Sequence, residues 1–192
     1  YGLTQADEVS SSQELPGGEG RNNYLKDLHF LSRQNDDWVF TSYRMSNAVN
    51  GVGTLYRLVQ RDTTNNPVFL HDALATASPI PGAALQVNTN FHRVVDGVVH
   101  FYIEAYDSQG LVMTNAVAGP YLGNYIFTNR VMPAYLDIEL GVLDPSTLEK
   151  YKARMEADPA TAKGQYLSQR AGRVQMFRQR VVLRAPASER GF

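Results

Sequence analysis

Four histidines and no cysteine limit the chemistry open to this chain of 192 residues. His29 lies in a β-like run, His71 opens a possible helical turn, and His92 and His100 stand eight apart. Eight residues along a strand separate two same-face side chains by about 26 Å, too far to share a metal. The strand histidines are therefore expected to face solvent. The lack of cysteine removes thiol nucleophiles, CxxC redox chemistry, iron–sulfur clusters and cysteine-based zinc sites. Asp36-Asp37 and Asp107-Ser108-Gln109-Gly110 are rich in oxygen but lack the spacing and terminal Glu of a calcium loop. Both read as hairpin turns.

Glu104, Asp137 and Glu139 could be imagined as paired acids for glycoside cleavage. All three are the outward members of alternating strands, where carboxylates are ordinary. No Gly-x-Ser-x-Gly elbow occurs, and Gly51-Val52-Gly53 and Gly17-Gly18-Glu19-Gly20 lack the strand before and the helix after that a phosphate loop needs. No catalytic residue, metal or cofactor is expected, and the chain reads as a non-enzyme. Basic charge does gather near the C-terminus, at Arg170, Arg173, Arg178, Arg180 and Arg184. Strand-face arginines pair with acids on the neighbouring strand, and Asp137 and Glu139 would serve; binding of a partner is the other use.

The elements that must position these residues are mostly strands. Residues 1–24 are polar and glycine-rich, and read as a flexible lead-in or a loop draped over a core. Leu28–Ser32, Trp38–Met45 and Thr54–Val59 are short runs broken by Asn35-Asp36-Asp37 and Asn50-Gly51, which makes an antiparallel meander. Residues 62–92 form a long connection with at most a helical turn near His71–Ala77. Val99, Phe101, Ile103 and Ala105 then alternate with His100, Tyr102, Glu104 and Tyr106. Leu136, Ile138, Leu140 and Val142 alternate with Tyr135, Asp137, Glu139 and Gly141 in the same way.

Asp144-Pro145 is an N-cap followed by a proline at the first helical position, so a helix is expected over 146–156 with Leu148, Tyr151 and Met155 on one stripe. Asp158-Pro159 and Gly172 bracket a second short helix over about 160–171. The last strand, about 173–184, carries Phe177, Val181 and Leu183 on one face and Arg178, Arg180 and Arg184 on the other. The sum is an α+β, sheet-dominated fold of antiparallel β-sheets. One globular head spans 25–184, with a helical insertion at about 144–172 before the last strand and a tail at 185–192.

Composition agrees with that outline. Hydrophobic residues make up 43% and charged residues 19%, so the chain has enough apolar surface to fold as a globular domain. The formal net charge is −1, which leaves no basic excess for phosphates and argues against a nucleic-acid partner. No run of 18 apolar residues occurs, so no transmembrane helix is expected in this stretch.

One combination is more specific than its parts. Val95-Asp96-Gly97-Val98-Val99-His100-Phe101 leads through Tyr106-Asp107-Ser108-Gln109-Gly110. Met132-Pro133-Ala134-Tyr135-Leu136-Asp137-Ile138-Glu139-Leu140 follows, and the domain closes on the arginine-rich strand. Together with Gly53-Thr54-Leu55-Tyr56-Arg57 upstream, this resembles the soluble head of the J-type minor pseudopilin of type II secretion systems. The resemblance covers about residues 25–184. It implies a structural subunit of a pseudopilus, or of a related pilus-like filament. An N-terminal apolar helix, absent from this stretch, would anchor the precursor in the inner membrane and then pack in the filament core. The head would project into the periplasm and touch other minor subunits at the filament tip. No catalytic residue or cofactor is implied, and the isolated head is expected to be monomeric or weakly associating. Tyr102, Tyr106, Tyr121, Tyr125 and Phe127 are the candidates for an exposed aromatic partner surface.

Two other readings remain. A secreted β-rich module binding carbohydrate or protein would use the 11 tyrosines and single Trp as a platform, with Trp38 exposed. A phage or filament structural protein would self-assemble without a leader peptide.

Overall fold

The computed structural model describes residues 9–14, 19–34, 37–46, 51–62, 91–113, 127, 132–157, 167 and 169–183. Eight strands account for most of them: β1 (Val9–Glu14), β2 (Gly20–Tyr24), β3 (Leu28–Gln34), β4 (Asp37–Ser46), β5 (Gly53–Asp62), β6 (Phe91–Tyr106), β7 (Tyr135–Leu143) and β8 (Val174–Val182). Between β7 and β8 the described residues include a helix, α1 (Pro145–Ala157), and a 3-10 turn (Ala171–Arg173). Strands β3 to β8 form one six-stranded antiparallel sheet in chain order, and β1 pairs only with β2. The expected meander and the cap of the inserted helix are both present. The expected helical turn at 71–77, most of the second helix at 160–171, Arg184 and the tail at 185–192 lie outside the described residues. Among the described residues no helix is long and apolar enough to cross a membrane.

Strand β6 holds the sheet together and also bends it. Its first half pairs with β5 and its second half with β7. Gly53 faces Val98 and Thr54 faces Asp96, which leaves Gly97 without an opposite residue. Val98 faces Val142 and His100 faces Gly141, which leaves Val99 over in turn. Two extra residues this close bend and twist the strand sharply. Gly97 has φ +72°, and a Cβ there would meet Leu148 Cδ2 of α1 at 3.0 Å. Gly97→Ala should therefore cost about 2 kcal/mol, combining left-handed strain with crowding against Leu148. A loss of less than about 0.5 kcal/mol in urea titration would refute the account.

Beyond the bend, the side of β6 that β5 leaves free is taken by the chain before β3. Leu25 bridges Phe101 in parallel, and the Lys26 N–H donates to the Phe101 carbonyl at 3.0 Å. Asp27 then accepts from the Met45 N–H at 2.8 Å and from Arg44 Nε at 3.3 Å. Burial pushes the Asp27 carboxyl upward, against the pull of these donors.

The two halves of the bent sheet share one apolar face. Leu28, Met45 and Leu55 from the first half pack with Val98, Phe101, Ile103, Ala105 and Leu136. A cavity of about 480 Å³ remains on this face, lined by residues of both halves, among them Leu28, Tyr43, Phe101, Ile138 and Val181. The opposite face is covered in two places. Helix α1 sets Tyr151 and Leu148 against Val99, Leu143 and Leu167. Its start is fixed by Asp144, whose carboxylate accepts from the Thr147 N–H at 3.0 Å and from the Ser146 and Thr147 hydroxyls.

The β1–β2 hairpin packs over β6 beside it, so Val9–Glu14 and Gly20–Tyr24 are strands where the polar sequence suggested a loop. Polar sequence there pairs Val9–Glu14 with Gly20–Tyr24, with one irregularity between Val9 and Ser11. Gln13 and Asn23 are fully buried, and Gln13 Nε2 donates to the Leu167 carbonyl at 3.2 Å. Gln13 Oε1 has no hydrogen-bond partner among the described residues, so this burial follows from docking and not from hydropathy.

Candidate partner surface

Register places the expected acid–arginine pairs side by side. Across β6, β7 and β8 three rows run on the face opposite the cavity: Tyr102–Glu139–Arg178, Glu104–Asp137–Arg180 and Tyr106–Tyr135–Val182. Such cross-strand neighbours are close enough to interact directly. Arg180 grips Asp137 through Nε at 2.7 Å and Nη2 at 2.8 Å, and Arg178 Nη2 reaches the same carboxylate at 3.4 Å. Arg178 Nε lies 3.4 Å from Glu139 Oε1. Asp137, in the outward phase of β7, is roofed by these two side chains and only 3% exposed. The hydrogen bonds from Arg180 hold its carboxyl below the usual carboxylate range.

The aromatic rings are fixed by the same rows. Tyr106 and Tyr135 stack with centroids 4.9 Å apart and planes 13° from parallel. The Arg180 guanidinium caps the stack 4.1 Å from the Tyr135 centroid. Tyr106 donates its hydroxyl proton to Glu104 Oε2 at 2.6 Å, which pushes the phenol up to about 12. Tyr102 packs against Tyr24 of the hairpin, with Lys26 Nζ 4.0 Å from its ring centroid. The arrangement is a polar and aromatic patch whose donors and rings are held in place by one another.

Of the five aromatic candidates, Tyr102 and Tyr106 belong to this surface. Phe127 does not: it is 1% exposed and packs with the core around Phe101 and Ile103, so it cannot meet a partner. An aromatic residue in a weakly patterned stretch carries no period from which burial can be read. Tyr121 and Tyr125 lie outside the described residues. Tyr135 was missed, although it shares the polar phase of β7 with Asp137 and Glu139. Lys26 was missed too, and no sequence signal marks it.

The histidines also depart from expectation. His29 and His100 are 1% and 4% exposed rather than solvent-facing, while His92 is exposed. His29 stacks on Phe40 and its Nδ1 lies 2.9 Å from Ser42 Oγ. The His100 Nδ1 accepts the Tyr24 N–H at 3.3 Å, because the hairpin lies over that part of β6. His71 lies outside the described residues. Among the described residues no three metal-ligating side chains come together. Trp38 is half-buried beside Leu31 and Phe40, and every described tyrosine is half-buried or buried.

Comparison with family models, with curated proteins and with solved structures finds no match for this chain.

Proposed function

We propose that this chain is the soluble head of a pilin-like filament subunit, of the kind represented by the J-type minor pseudopilins it resembles, and that it works by assembly rather than catalysis. The observation that carries the reading is the Tyr106–Tyr135 stack capped by Arg180, beside the exposed strand β8. Tyr and Arg held rigidly at a surface lose little entropy on docking, and they dominate protein contact energies. In this reading an apolar helix outside the given residues anchors the subunit in the inner membrane, and the head meets other minor subunits in the periplasm.

The test is the coding sequence upstream of Tyr1, followed by cross-linking in cells. A basic leader, a Phe and a run of about 20 apolar residues with an early Glu are expected. The chain has no cysteine, so single-cysteine variants at Gln175 or Gln179 report contacts without background. Cross-links to other filament subunits are expected. A conventional cleavable signal peptide, or no leader at all, would defeat the proposal.

A further inference from the structure

Strand β8 is one edge of the six-stranded sheet, and among the described residues no strand pairs with its outer side. The Leu183 N–H donates inward to the Ala134 carbonyl, whereas the Arg180 carbonyl accepts from the strand's own Gln179 side chain. In an antiparallel strand successive residues turn their N–H and C=O groups to opposite sides. Val174, Met176, Arg178, Arg180 and Val182 therefore direct their backbone groups away from β7. The edge is nine residues long, is flanked by Phe177 at 54% and Val182 at 72% exposure, and contains no acid. Natural sheets shorten or cover edges of this kind, because they invite another strand.

The side chains indicate which strand. On one face, Phe177 and Val181 continue the apolar side of the sheet. On the other, Arg178 and Arg180 are held from inboard by Asp137 and Glu139 through their Nε and Nη2 atoms. The Nη1 group of each has no hydrogen-bond partner among the described residues. Two guanidiniums fixed on the inboard side, with donors to spare, suit carboxylates arriving two residues apart. A second copy of the chain suits the edge badly. Symmetric pairing centred on Arg178 or on Gln179 sets arginine opposite arginine, and like charges directly opposite destabilise a sheet.

We propose that the outer edge of β8 takes up an extended strand of another protein in which acidic and apolar residues alternate, the acids meeting Arg178 and Arg180 and the apolar residues meeting Phe177 and Val181. This deepens the assembly reading and rests on it only for the partner's being a protein. The probes are nine-residue synthetic peptides alternating Glu with Val, Gln with Val, and Lys with Val, titrated into the purified chain and followed through its backbone amide NMR signals.

The Glu–Val peptide should shift the Met176, Arg178 and Arg180 amides and slow their exchange with solvent. The Gln–Val peptide should bind about tenfold more weakly, and the Lys–Val peptide more weakly still. Arg178→Gln should reduce Glu–Val binding severalfold while leaving the amide spectrum of β3 to β5 in place. Equal binding of the Glu and Gln peptides, shifts confined to β3, or no shift up to millimolar peptide would each overturn the proposal. So would concentration-dependent dimerisation through β8 without peptide. Because the titration uses the chain alone, its failure leaves the filament reading standing, and an unsuitable leader sequence leaves this one standing.

Discussion

Phe101→Ala should lower the free energy of unfolding by about 3 kcal/mol, whereas Phe177→Ala should change it by less than about 0.5 kcal/mol. The two rings occupy one cross-strand row, since Phe101 faces Leu140 on β7 and Leu140 faces Phe177 on β8. Phe101 is 5% exposed in the main core, and Phe177 is 54% exposed at the edge. Truncating a buried ring loses its transfer free energy and leaves a void. The expected cost sits at the low end of the usual range because Phe101 already borders the 480 Å³ cavity, so one side of the ring has few packing partners to lose. Denaturant titration of both variants checks the pair. Equal losses would mean that β8 is covered in solution, and would remove the open edge on which strand capture depends.

Acid should destabilise the fold well before most carboxylates titrate. Burial holds the His29 imidazole down to about 3 and the His100 imidazole down to about 4, with further depression of the first by Arg44 and of the second by Arg21 and Lys26. Both rings stay neutral in the fold but bind protons near 6.5 when unfolded. The unfolded chain therefore takes up more protons below pH 6.5, and stability must fall as pH falls. The contribution is complete above about pH 6.5 and is lost progressively down to about pH 4 for His100 and about pH 3 for His29. For His29 it is of the order of 5 kcal/mol. Geometry adds a local consequence at His100: protonated Nδ1 can no longer accept the Tyr24 N–H, so the β1–β2 hairpin should loosen first.

Asp27 acts in the opposite sense, because its raised carboxyl favours the fold when protonated, and that part is lost as pH rises through its folded value. His29→Gln removes the histidine part and leaves that of Asp27 in place. Urea midpoints measured between pH 7.5 and pH 4 should fall steadily, and His29→Gln should flatten the slope. A midpoint independent of pH across that window would show that both rings are solvated.

What the sequence determined by itself is whatever repeats locally along the chain. Period-2 alternation marks β6 and β7 because each strand shows its two faces to different surroundings. The Asp144-Pro145 pair marks the start of α1, since a cap acts within one turn. The pairing of Arg178 and Arg180 with Asp137 and Glu139 was legible because adjacent strands of opposite charge bring such rows together.

Only the tertiary structure decided what covers each face. The polar β1–β2 sequence was drawn into antiparallel pairing and buried Gln13 and Asn23, a result of docking on β6 and Leu167 rather than of local preference. His29 and His100 sit on the polar phase of their strands, yet they are buried because ring stacking and the hairpin cover them. Phe101 and Phe177 look alike in the sequence, and only their distance from the sheet's open edge separates core from surface. Burial is a property of the residues that pack over a site from elsewhere in the chain, and no period within a strand encodes them.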